Sequence, residues 1–318
     1  MFNRNFWLSK EVFIGLILAL IVIIPVVVFG GSKIVFVDKD ASGSEEGTAT
    51  HPYHSISQAL DHVKKGTEVR VKNGEYKENI TIPKDVKVVG DSNKREKVVI
   101  KAKNEDRPAV TMKDQSKLSY VTVKGGRHGV RIVTDAKAHL YNVVVKNSNR
   151  DGIHIDSAKT DKQHRVLLDT VEITQNDRAG IFAEKRFIVL TNSYVTSNKS
   201  DGVDFAMGTE AWLEKNSFSG NKGSGLKLVL DESEIWSKKN NIRNNGREGV
   251  EVNAYGAAGT IGFKKATLFN NGHYGIARIA RTPAGVNTFG GLQYGTGVNV
   301  DHIEGNILGS FSPIVRGF

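Results

Sequence analysis

The sequence predicts an all-β solenoid, in which short strands stack coil upon coil around a shared core. The first observation is a glycine followed by an apolar–polar–apolar strand, which recurs at Gly129, Gly152, Gly180, Gly202, Gly225, Gly249, Gly275 and, more weakly, Gly297. The spacings are 23, 28, 22, 23, 24, 26 and 22 residues, a period typical of solenoid repeats. Alternation of period two within each unit disfavours helical repeats.

Two further columns keep the same register. An apolar residue stands seven positions before most of these glycines, and a polar residue stands four positions before, at Ser148, Asn176, Asn198, Asn221, Asn245 and Asn271. An asparagine amide carries both donors and an acceptor, so asparagines stacked about 4.8 Å apart hydrogen-bond along the stack. We therefore expect a buried asparagine ladder that serves the scaffold.

A short helix is predicted before the first coils. Ser55 or His54 precedes the segment "ISQALDHVKK", and Gly66 follows it, which are reasonable start and stop signals. We expect this helix to cover the open end of the solenoid, where unpaired strand edges would otherwise promote aggregation.

From about Leu118 to Val300 the glycine repeats and the asparagine column resemble the right-handed parallel β-helix, or pectin-lyase-like, superfamily. The segment from Phe36 to Gly90 is similar to the entry segment of such proteins. The resemblance implies a right-handed parallel β-helix solenoid with a short N-terminal capping helix.

The resemblance implies no single reaction. "NGEYKEN" matches a Gly-x-Tyr-x-Glu motif of pectin methylesterases that is chiefly structural, and "NRDGIHI" resembles a polygalacturonase strand that offers Asp151. No Asp-Asp pair and no complete active site of the superfamily occurs in the sequence. Whether the chain is an enzyme stays open; a polysaccharide lyase or glycoside hydrolase is the class to expect if it is one.

One N-terminal transmembrane helix is predicted before the solenoid. Residues 12–29 form an uncharged run of 18, long enough as a helix for the bilayer core. Arg4 and Lys10 precede the run, which places the N-terminus in the cytoplasm and the solenoid outside. The alternative is a cleaved signal peptide and a secreted protein. The predicted division is 1–32 for tail and anchor, 33–117 for entry segment and first coils, 118–300 for repeated coils, and 301–318 for a C-terminal cap.

Charge favours an anionic partner. The chain has 44 Lys and Arg against 34 Asp and Glu, a net charge of +10, although a merely solubilising basic surface would give the same total. Acidic polysaccharide is the favoured partner, a protein partner is the alternative, and nucleic acid is not favoured. The absence of cysteine excludes disulfides and thiolate metal sites.

Alternation predicts which side chains face outward. Residues one and three positions after each glycine should point inward, and those two and four after should face solvent. The outward set includes Arg131, His154, Asp156, Phe182, Glu184, Asp204, Lys227 and Glu251. Asp156 and Glu184 are expected on adjacent rungs about 5 Å apart, where like charges raise a carboxylate pKa, as general acid chemistry requires, or recruit a cation such as Ca²⁺.

These residues supply the candidate site. The catalytic candidates are His154, Asp156, Glu184 and Asp204, and Asp156 with Glu184 form the candidate calcium site. The substrate-binding candidates are Arg131, Asp151, Lys159, Arg165, Phe182 and Lys227, the lysine and arginine near 160 coming from an insertion in the 28-residue coil. The alternative is an ordinary charged ladder in solvent.

The leading hypothesis is a membrane-tethered, extracytoplasmic β-helix that binds, and in one version modifies, an acidic cell-envelope polysaccharide. The alternative is a non-catalytic structural or assembly module.

Overall fold

The computed structural model describes residues 33–158, 162–253, 255, 259–278, 293–294, 299–304 and 309–311. These residues form parallel strands, one short α-helix and two 3-10 turns, which confirms the all-β class. The strands are β1 (Ile34–Val37), β2 (Glu68–Val71), β3 (Gly74–Lys77), β4 (Ile80–Ile82), β5 (Lys87–Gly90), β6 (Val98–Lys101), β7 (Val110–Met112), β8 (Ser116–Ser119), β9 (Thr122–Lys124), β10 (Val130–Ile132), β11 (Ala138–Tyr141), β12 (Val144–Lys146), β13 (Ile153–Ile155), β14 (Val166–Asp169), β15 (Glu172–Thr174), β16 (Ile181–Ala183), β17 (Phe187–Thr191), β18 (Tyr194–Thr196), β19 (Val203–Phe205), β20 (Glu210–Glu214), β21 (Ser217–Ser219), β22 (Leu226–Val229), β23 (Glu234–Lys238), β24 (Asn241–Arg243), β25 (Val250–Asn253), β26 (Thr260–Phe269), β27 (Tyr274–Arg278), β28 (Gln293–Tyr294), β29 (Asn299–Glu304) and β30 (Gly309–Phe311). The α-helix is α1 (Ile56–His62), and the 3-10 turns are Arg95–Lys97 and Lys162–His164.

The strands make three parallel faces, and each typical coil adds one strand to each face. Face A runs β1-β2-β5-β8-β11-β14-β17-β20-β23-β26, and face B runs β3-β6-β9-β12-β15-β18-β21-β24-β26. Face C is the separate ten-stranded sheet, β4-β7-β10-β13-β16-β19-β22-β25-β27-β30. The long β26 belongs to both face A and face B, because it pairs with β23 and with β24.

The core confirms the predicted alternation along face C. Ile153 and Ile155 of β13 are fully buried, whereas His154 between them is half-buried and faces outward. Register is kept from coil to coil, since Ile153 pairs with Val130 below and Ile181 above. Removing such branched apolar side chains from water is the main favourable contribution to folding of the stack.

The predicted asparagine ladder is confirmed. Nδ2 of Asn176 donates to Oδ1 of Asn198 at 2.9 Å, Asn198 donates to Asn221 at 2.9 Å, and Asn221 donates to Asn245 at 3.0 Å. Asn245 in turn donates to Asn271 at 3.0 Å. All five are buried, so the ladder satisfies turn backbone that water does not reach.

A second polar ladder, which the sequence pattern did not predict, lies at the corner between faces A and B. The backbone N–H of Ser193 donates to Oδ1 of Asn216 at 3.0 Å, and the N–H of Asn216 donates to Oδ1 of Asn240 at 2.8 Å. The same corner holds one residue per coil in the left-handed backbone conformation, with φ near +55°. These residues are Tyr120, Asn142, Thr170, Asn192, Lys215, Lys239 and Lys265.

Helix α1 confirms the predicted capping helix, although it ends at His62, four residues before Gly66. Ser55 is the N-cap, and its side chain accepts a hydrogen bond from the N–H of Gln58 at 3.2 Å. Glu78 accepts from the N–H groups of Ile56 and Ser57 at 3.0 and 2.8 Å. The glutamate of the "NGEYKEN" motif therefore has a structural task, because it binds the exposed donors at the start of α1.

The described residues from Ile34 onward belong to one compact unit. The predicted transmembrane run, residues 12–29, lies outside the described residues. Among the residues that are described, no helix is long and apolar enough to cross a membrane. The anchor and the boundaries at residues 117 and 300 stay predictions.

Candidate functional site

A basic groove lies on the outer surface of face C near its N-terminal end. It has a volume of about 410 Å³. Its lining residues come from β10, from β13 and the residue directly after it, and from the turns that precede β7, β10 and β13. They are Asp106, Arg107, Pro108, Arg127, His128, Arg131, Arg150, His154 and Asp156. Four arginines against two aspartates give this groove a positive charge, which favours anionic ligands.

The arginines reach the groove from successive coils. The turn before β7 supplies Arg107, and the turn before β10 supplies Arg127; both side chains are exposed. The two turns are joined by a hydrogen bond from the N–H of Arg127 to the carbonyl oxygen of Arg107, 3.0 Å long. Arg150 comes from the next turn. Stacked turns therefore bring guanidinium groups separated by about twenty residues in sequence to one edge of the groove.

Arg131 and Asp156 form an ion pair across the groove. Nη2 of Arg131 lies 2.8 Å from Oδ2 of Asp156, and its Nε lies 3.2 Å from both carboxylate oxygens. The aspartate also lies 3.6 Å from Nε2 of His154. Asp156 thus neutralises Arg131. Arg107, Arg127 and Arg150 then outnumber Asp106 in the lining and the buried Asp151 beneath it, which leaves a smaller excess of positive charge.

Asp151 is buried beneath the groove and contacts two of its lining histidines. Its Oδ2 is 3.1 Å from Nδ1 of His154 and 3.4 Å from Nδ1 of His128. Burial alone would raise the pKa of Asp151, but the two histidine contacts outweigh burial and hold the pKa well below its usual range. Asp151 is therefore ionised at neutral pH.

Burial acts in the opposite direction on His128. The residue is 7% exposed, and desolvation lowers the pKa of its imidazole despite the attraction of Asp151. Repulsion by His154 and Arg150 lowers the pKa further. His128 is consequently neutral at neutral pH, with one ring nitrogen able to act as a ligand or acceptor.

Three rings stack along the axis of the solenoid at this site. The centroids of His128 and His154 are 4.4 Å apart, and those of His154 and Phe182 are 5.0 Å apart with planes only 11° from parallel. Phe182 stands in register with His154 on the neighbouring strand. The stack fixes the plane of His154, so that its two nitrogens keep their positions relative to Asp151 and Asp156.

The structure brings together five of the ten residues that the sequence predicted for the site. They are Arg131, Asp151, His154, Asp156 and Phe182. Asp204 instead pairs with Lys227 at 2.9 Å on strands further along face C. Arg165 lies close enough to His139 of face A to lower the pKa of that histidine, after the larger effects of burial and of Lys117. It is not among the residues that line the groove.

Glu184 and Lys159 complete the predicted set. Glu184 is half-buried and directly follows β16, just as Asp156 directly follows β13, the strand that pairs with β16. The candidate calcium site at Asp156 and Glu184 stays a prediction, and Asp156 already has Arg131 as its partner. Lys159 lies outside the described residues.

One expectation about exposure was wrong. Glu251 stands two positions after Gly249 and was expected in solvent, but it is fully buried. Its Oε2 accepts from the hydroxyl of Ser224 at 2.9 Å, and its Oε1 accepts from Nδ2 of Asn253 at 3.1 Å. Polar neighbours from two coils cover the carboxylate, and alternation within a single strand carries no information about such covering.

The sequence pattern also missed His128, Arg107, Arg127 and Arg150 as members of the site. A usable signal was present in the position directly before each repeat glycine. Along the stack this column contains His128, Asp151, Ala179, Asp201, Ser224, Glu248 and Tyr274. The turn leads directly into the strand, so this position lies near the outward residue two places after the glycine. From these two columns His128, Arg131 and His154 line the groove.

With this geometry established, the family can be assigned. Residues 128–287 match the family model described as the right handed beta helix region. The match spans 160 of the 318 residues, from the first groove histidine onward. The chain belongs to this right-handed β-helix family. Membership confirms the hand of the solenoid that the resemblance implied. A search of curated protein sequences found no match.

Solved structures of other β-helix proteins share the architecture. The mannuronan C-5 epimerase AlgE6 A-module of Azotobacter vinelandii matches with a TM-score of 0.56 and 17% identity, over 70% of this chain and 66% of that module. Pectate lyase Pel9A matches with a TM-score of 0.50 and 14% identity, over 84% and 74% of the two chains. A pectin methylesterase from Aspergillus niger matches with a TM-score of 0.50 and 14% identity, over 85% and 91%. At these identities the likeness shows the fold alone.

Proposed function

We propose that this β-helix protein binds an acidic polysaccharide in the groove on face C. The observation that carries the proposal is the excess of arginine there. Arg107, Arg127 and Arg150 come from three successive turns, and Asp156 neutralises only Arg131. Guanidinium groups bind carboxylates with paired N–H donors, so a row of them suits a polymer that carries one carboxylate per sugar.

The groove extends beyond these residues toward helix α1. A neighbouring depression of about 740 Å³ shares Arg107 with it and is lined further by Lys77 and Lys103. Acidic side chains also line this depression, including Glu78, which is engaged with the start of α1. A chain lying along the stack would therefore meet cationic groups over several coils, which supports a polymer over a single sugar.

The similar structures support a glycan in general terms. Two of them are named for acting on mannuronan and on pectate, which are acidic polysaccharides. The arginines of this chain's groove favour an acidic ligand independently of the similar structures.

The direct test is a binding titration of the full-length chain in detergent. Oligogalacturonate and oligomannuronate are titrated by calorimetry, each beside its carboxyl-reduced, neutral form. We expect at least one acidic oligosaccharide to bind, its neutral form to bind at least tenfold more weakly, and binding to weaken as salt rises. Equal affinity for acidic and neutral forms would refute the proposal, as would absence of binding to every acidic glycan tested.

Any modification of the bound glycan should depend on His154. Its ring is half-buried in the groove and held between Asp151 and Phe182. Assays for unsaturated products, new reducing ends and altered uronate stereochemistry on the bound glycan would detect turnover. We expect His154→Gln to abolish any such turnover. If all assays of the parent are negative while binding persists, the protein is a binding module, which is the alternative function.

We propose further that residues 12–29 tether the β-helix to a membrane, with the solenoid outside the cytoplasm. The uncharged run and the basic residues before it support this topology. Protease added to intact cells should remove the β-helix and leave a membrane-bound N-terminal fragment. A mature N-terminus at Gly31 or Ser32 would refute the tether and indicate secretion.

A further inference from the structure

Three ligand atoms converge at the floor of the groove. His128, Asp151 and His154 each offer one nitrogen or oxygen, and these atoms all lie within 4.8 Å of one another. Oδ2 of Asp151 is 3.1 Å from Nδ1 of His154 and 3.4 Å from Nδ1 of His128. Among the described residues this is the one such cluster of histidine and carboxylate groups.

These separations match the edges of a metal coordination shell. With metal–nitrogen and metal–oxygen bonds of about 2.05 Å, two ligands lie about 3.3 Å apart in tetrahedral geometry and about 2.9 Å apart in octahedral geometry. The two distances from Asp151, 3.1 and 3.4 Å, are close to these values, and the two histidine ligand atoms lie within 4.8 Å of each other.

A second observation concerns the hydrogen bonds of His128. The residue is 7% exposed, and its Nδ1 has no hydrogen-bond partner among the described residues, although it lies 3.4 Å from Oδ2 of Asp151. A buried polar atom without a partner destabilises the folded protein, because it has given up its hydrogen bond to water. A metal ion bound to this nitrogen would supply the missing partner.

We propose that His128, Asp151 and His154 bind a divalent transition-metal ion of the Zn²⁺ class. Two imidazole nitrogens and one carboxylate oxygen suit Zn²⁺, Fe²⁺ or Co²⁺ and are a poor set for Ca²⁺ or Mg²⁺, which prefer oxygen. Three protein ligands leave at least one position open toward the groove, the arrangement of catalytic rather than structural metal sites.

Groups around the three ligands support this assignment. Asp156 lies 3.6 Å from Nε2 of His154 and is itself held by Arg131, which is the kind of outer contact that orients a metal-binding imidazole. Phe182 stacks on the same ring at 5.0 Å. The histidine is thus fixed on two sides before any ion arrives.

The arginines determine what the metal would bind in turn. A divalent ion adds positive charge to a groove that already carries an excess of arginine, so its open position should take an anion. The metal site goes beyond the proposed function, since arginines alone can bind an acidic glycan. Metal binding and glycan binding are linked if one glycan carboxylate contacts both the metal ion and an arginine. The metal ion then raises the affinity for the glycan, and the glycan raises the affinity for the metal ion by the same factor.

The test is a titration of the metal-free, full-length chain with Co²⁺ and then Zn²⁺, with no glycan present. We expect one Co²⁺ per chain, with the d–d absorption of a four- or five-coordinate ion, displaced by Zn²⁺. His128→Ala and Asp151→Asn should each weaken Zn²⁺ binding by more than about 100-fold. Circular dichroism establishes that each variant is folded.

His273→Gln is the matched control. Nδ1 of His273 also contacts a carboxylate, Glu248, at 2.9 Å, but this pair lacks a second histidine, so the variant should bind Zn²⁺ like the parent. The proposal is overturned if the parent shows no saturable Co²⁺ or Zn²⁺ binding, or if folded His128→Ala and His273→Gln bind alike. Because no glycan is added, that failure leaves the polysaccharide proposal untouched, and failure of glycan binding leaves the metal result untouched.

Discussion

Replacing Asn221 by leucine tests the ladder that holds the coils in register. The Asn221 side chain makes four hydrogen bonds. Its Nδ2 donates to Oδ1 of Asn245 and to the carbonyl oxygen of Val195, both at 3.0 Å, and its Oδ1 accepts from Nδ2 and from the N–H of Asn198 at 2.9 and 3.1 Å. The residue is 1% exposed, so water cannot replace these partners.

The magnitude follows from the groups that lose their partners. Nδ2 of Asn198 keeps a bond to the carbonyl oxygen of Ile173 at 3.2 Å, and Oδ1 of Asn245 keeps a bond from the N–H of Asn221 at 3.2 Å. The N–H of Asn198 loses its side-chain acceptor, and an unsatisfied buried donor costs about 1–3 kcal/mol. With the other lost bonds, we expect Asn221→Leu to lower the free energy of unfolding by about 2–4 kcal/mol.

Guanidinium unfolding of the full-length chain in detergent, followed by circular dichroism, measures this change. Asn73→Leu is the control, because Asn73 is exposed and outside the ladder. We expect it to change the free energy of unfolding by less than about 0.5 kcal/mol. Equal stability of Asn221→Leu and the parent would refute the ladder register, since a buried ladder cannot lose a member without cost.

Three further predictions concern single residues. Lys239→Asn should raise the free energy of unfolding in guanidinium by about 0.5–1 kcal/mol, because Lys239 has φ +54° and asparagine tolerates that conformation better. The control Lys222→Asn, at an exposed position without positive φ, should leave the free energy of unfolding unchanged. Burial raises the pKa of Asp201. The protonated carboxyl therefore stabilises the fold fully below the unfolded value near 3.9, and this contribution is lost as pH rises through the folded pKa. Asp201→Asn should be more stable than the parent at pH 7 and lose that advantage near pH 4, as measured by unfolding titrations at both pH values. Glu78→Ala should lower the free energy of unfolding by about 1–2 kcal/mol, since it removes the acceptor at the start of α1, and an unchanged melting curve would contradict that role.

The sequence predicted most of the scaffold because solenoid repeats leave a periodic record. Spacing of the glycines and of the ladder asparagines determines which residues stack, and strand alternation determines that Ile153 is buried and His154 is not. The same local pattern recurs in every coil, so one irregular coil does not change the predicted register.

The site was predicted only in part, because much of it lies outside the strands. Arg107 and Arg127 come from turns, where alternation assigns no direction to a side chain, and His128 occupies the residue before a repeat glycine. The burial of Glu251 depends on Ser224 and Asn253, which reach it from two coils. Such contacts depend on how neighbouring coils pack, so the sequence pattern of a single strand does not predict them.

The central claim is that arginines of the face C groove bind an acidic polysaccharide, and charge-matched variants test it most directly. Arg107→Gln with Arg127→Gln removes two exposed positive charges from the groove, and Lys215→Gln with Lys265→Gln removes two exposed positive charges from the corner between faces A and B. Affinity for the acidic oligosaccharide that binds the parent best is measured for both by calorimetry at one salt concentration. We expect the arginine pair to weaken binding by about tenfold or more and the lysine pair to change it less than about twofold. Equal losses in the two variants would mean that binding follows net charge alone, and would contradict the groove as the binding site.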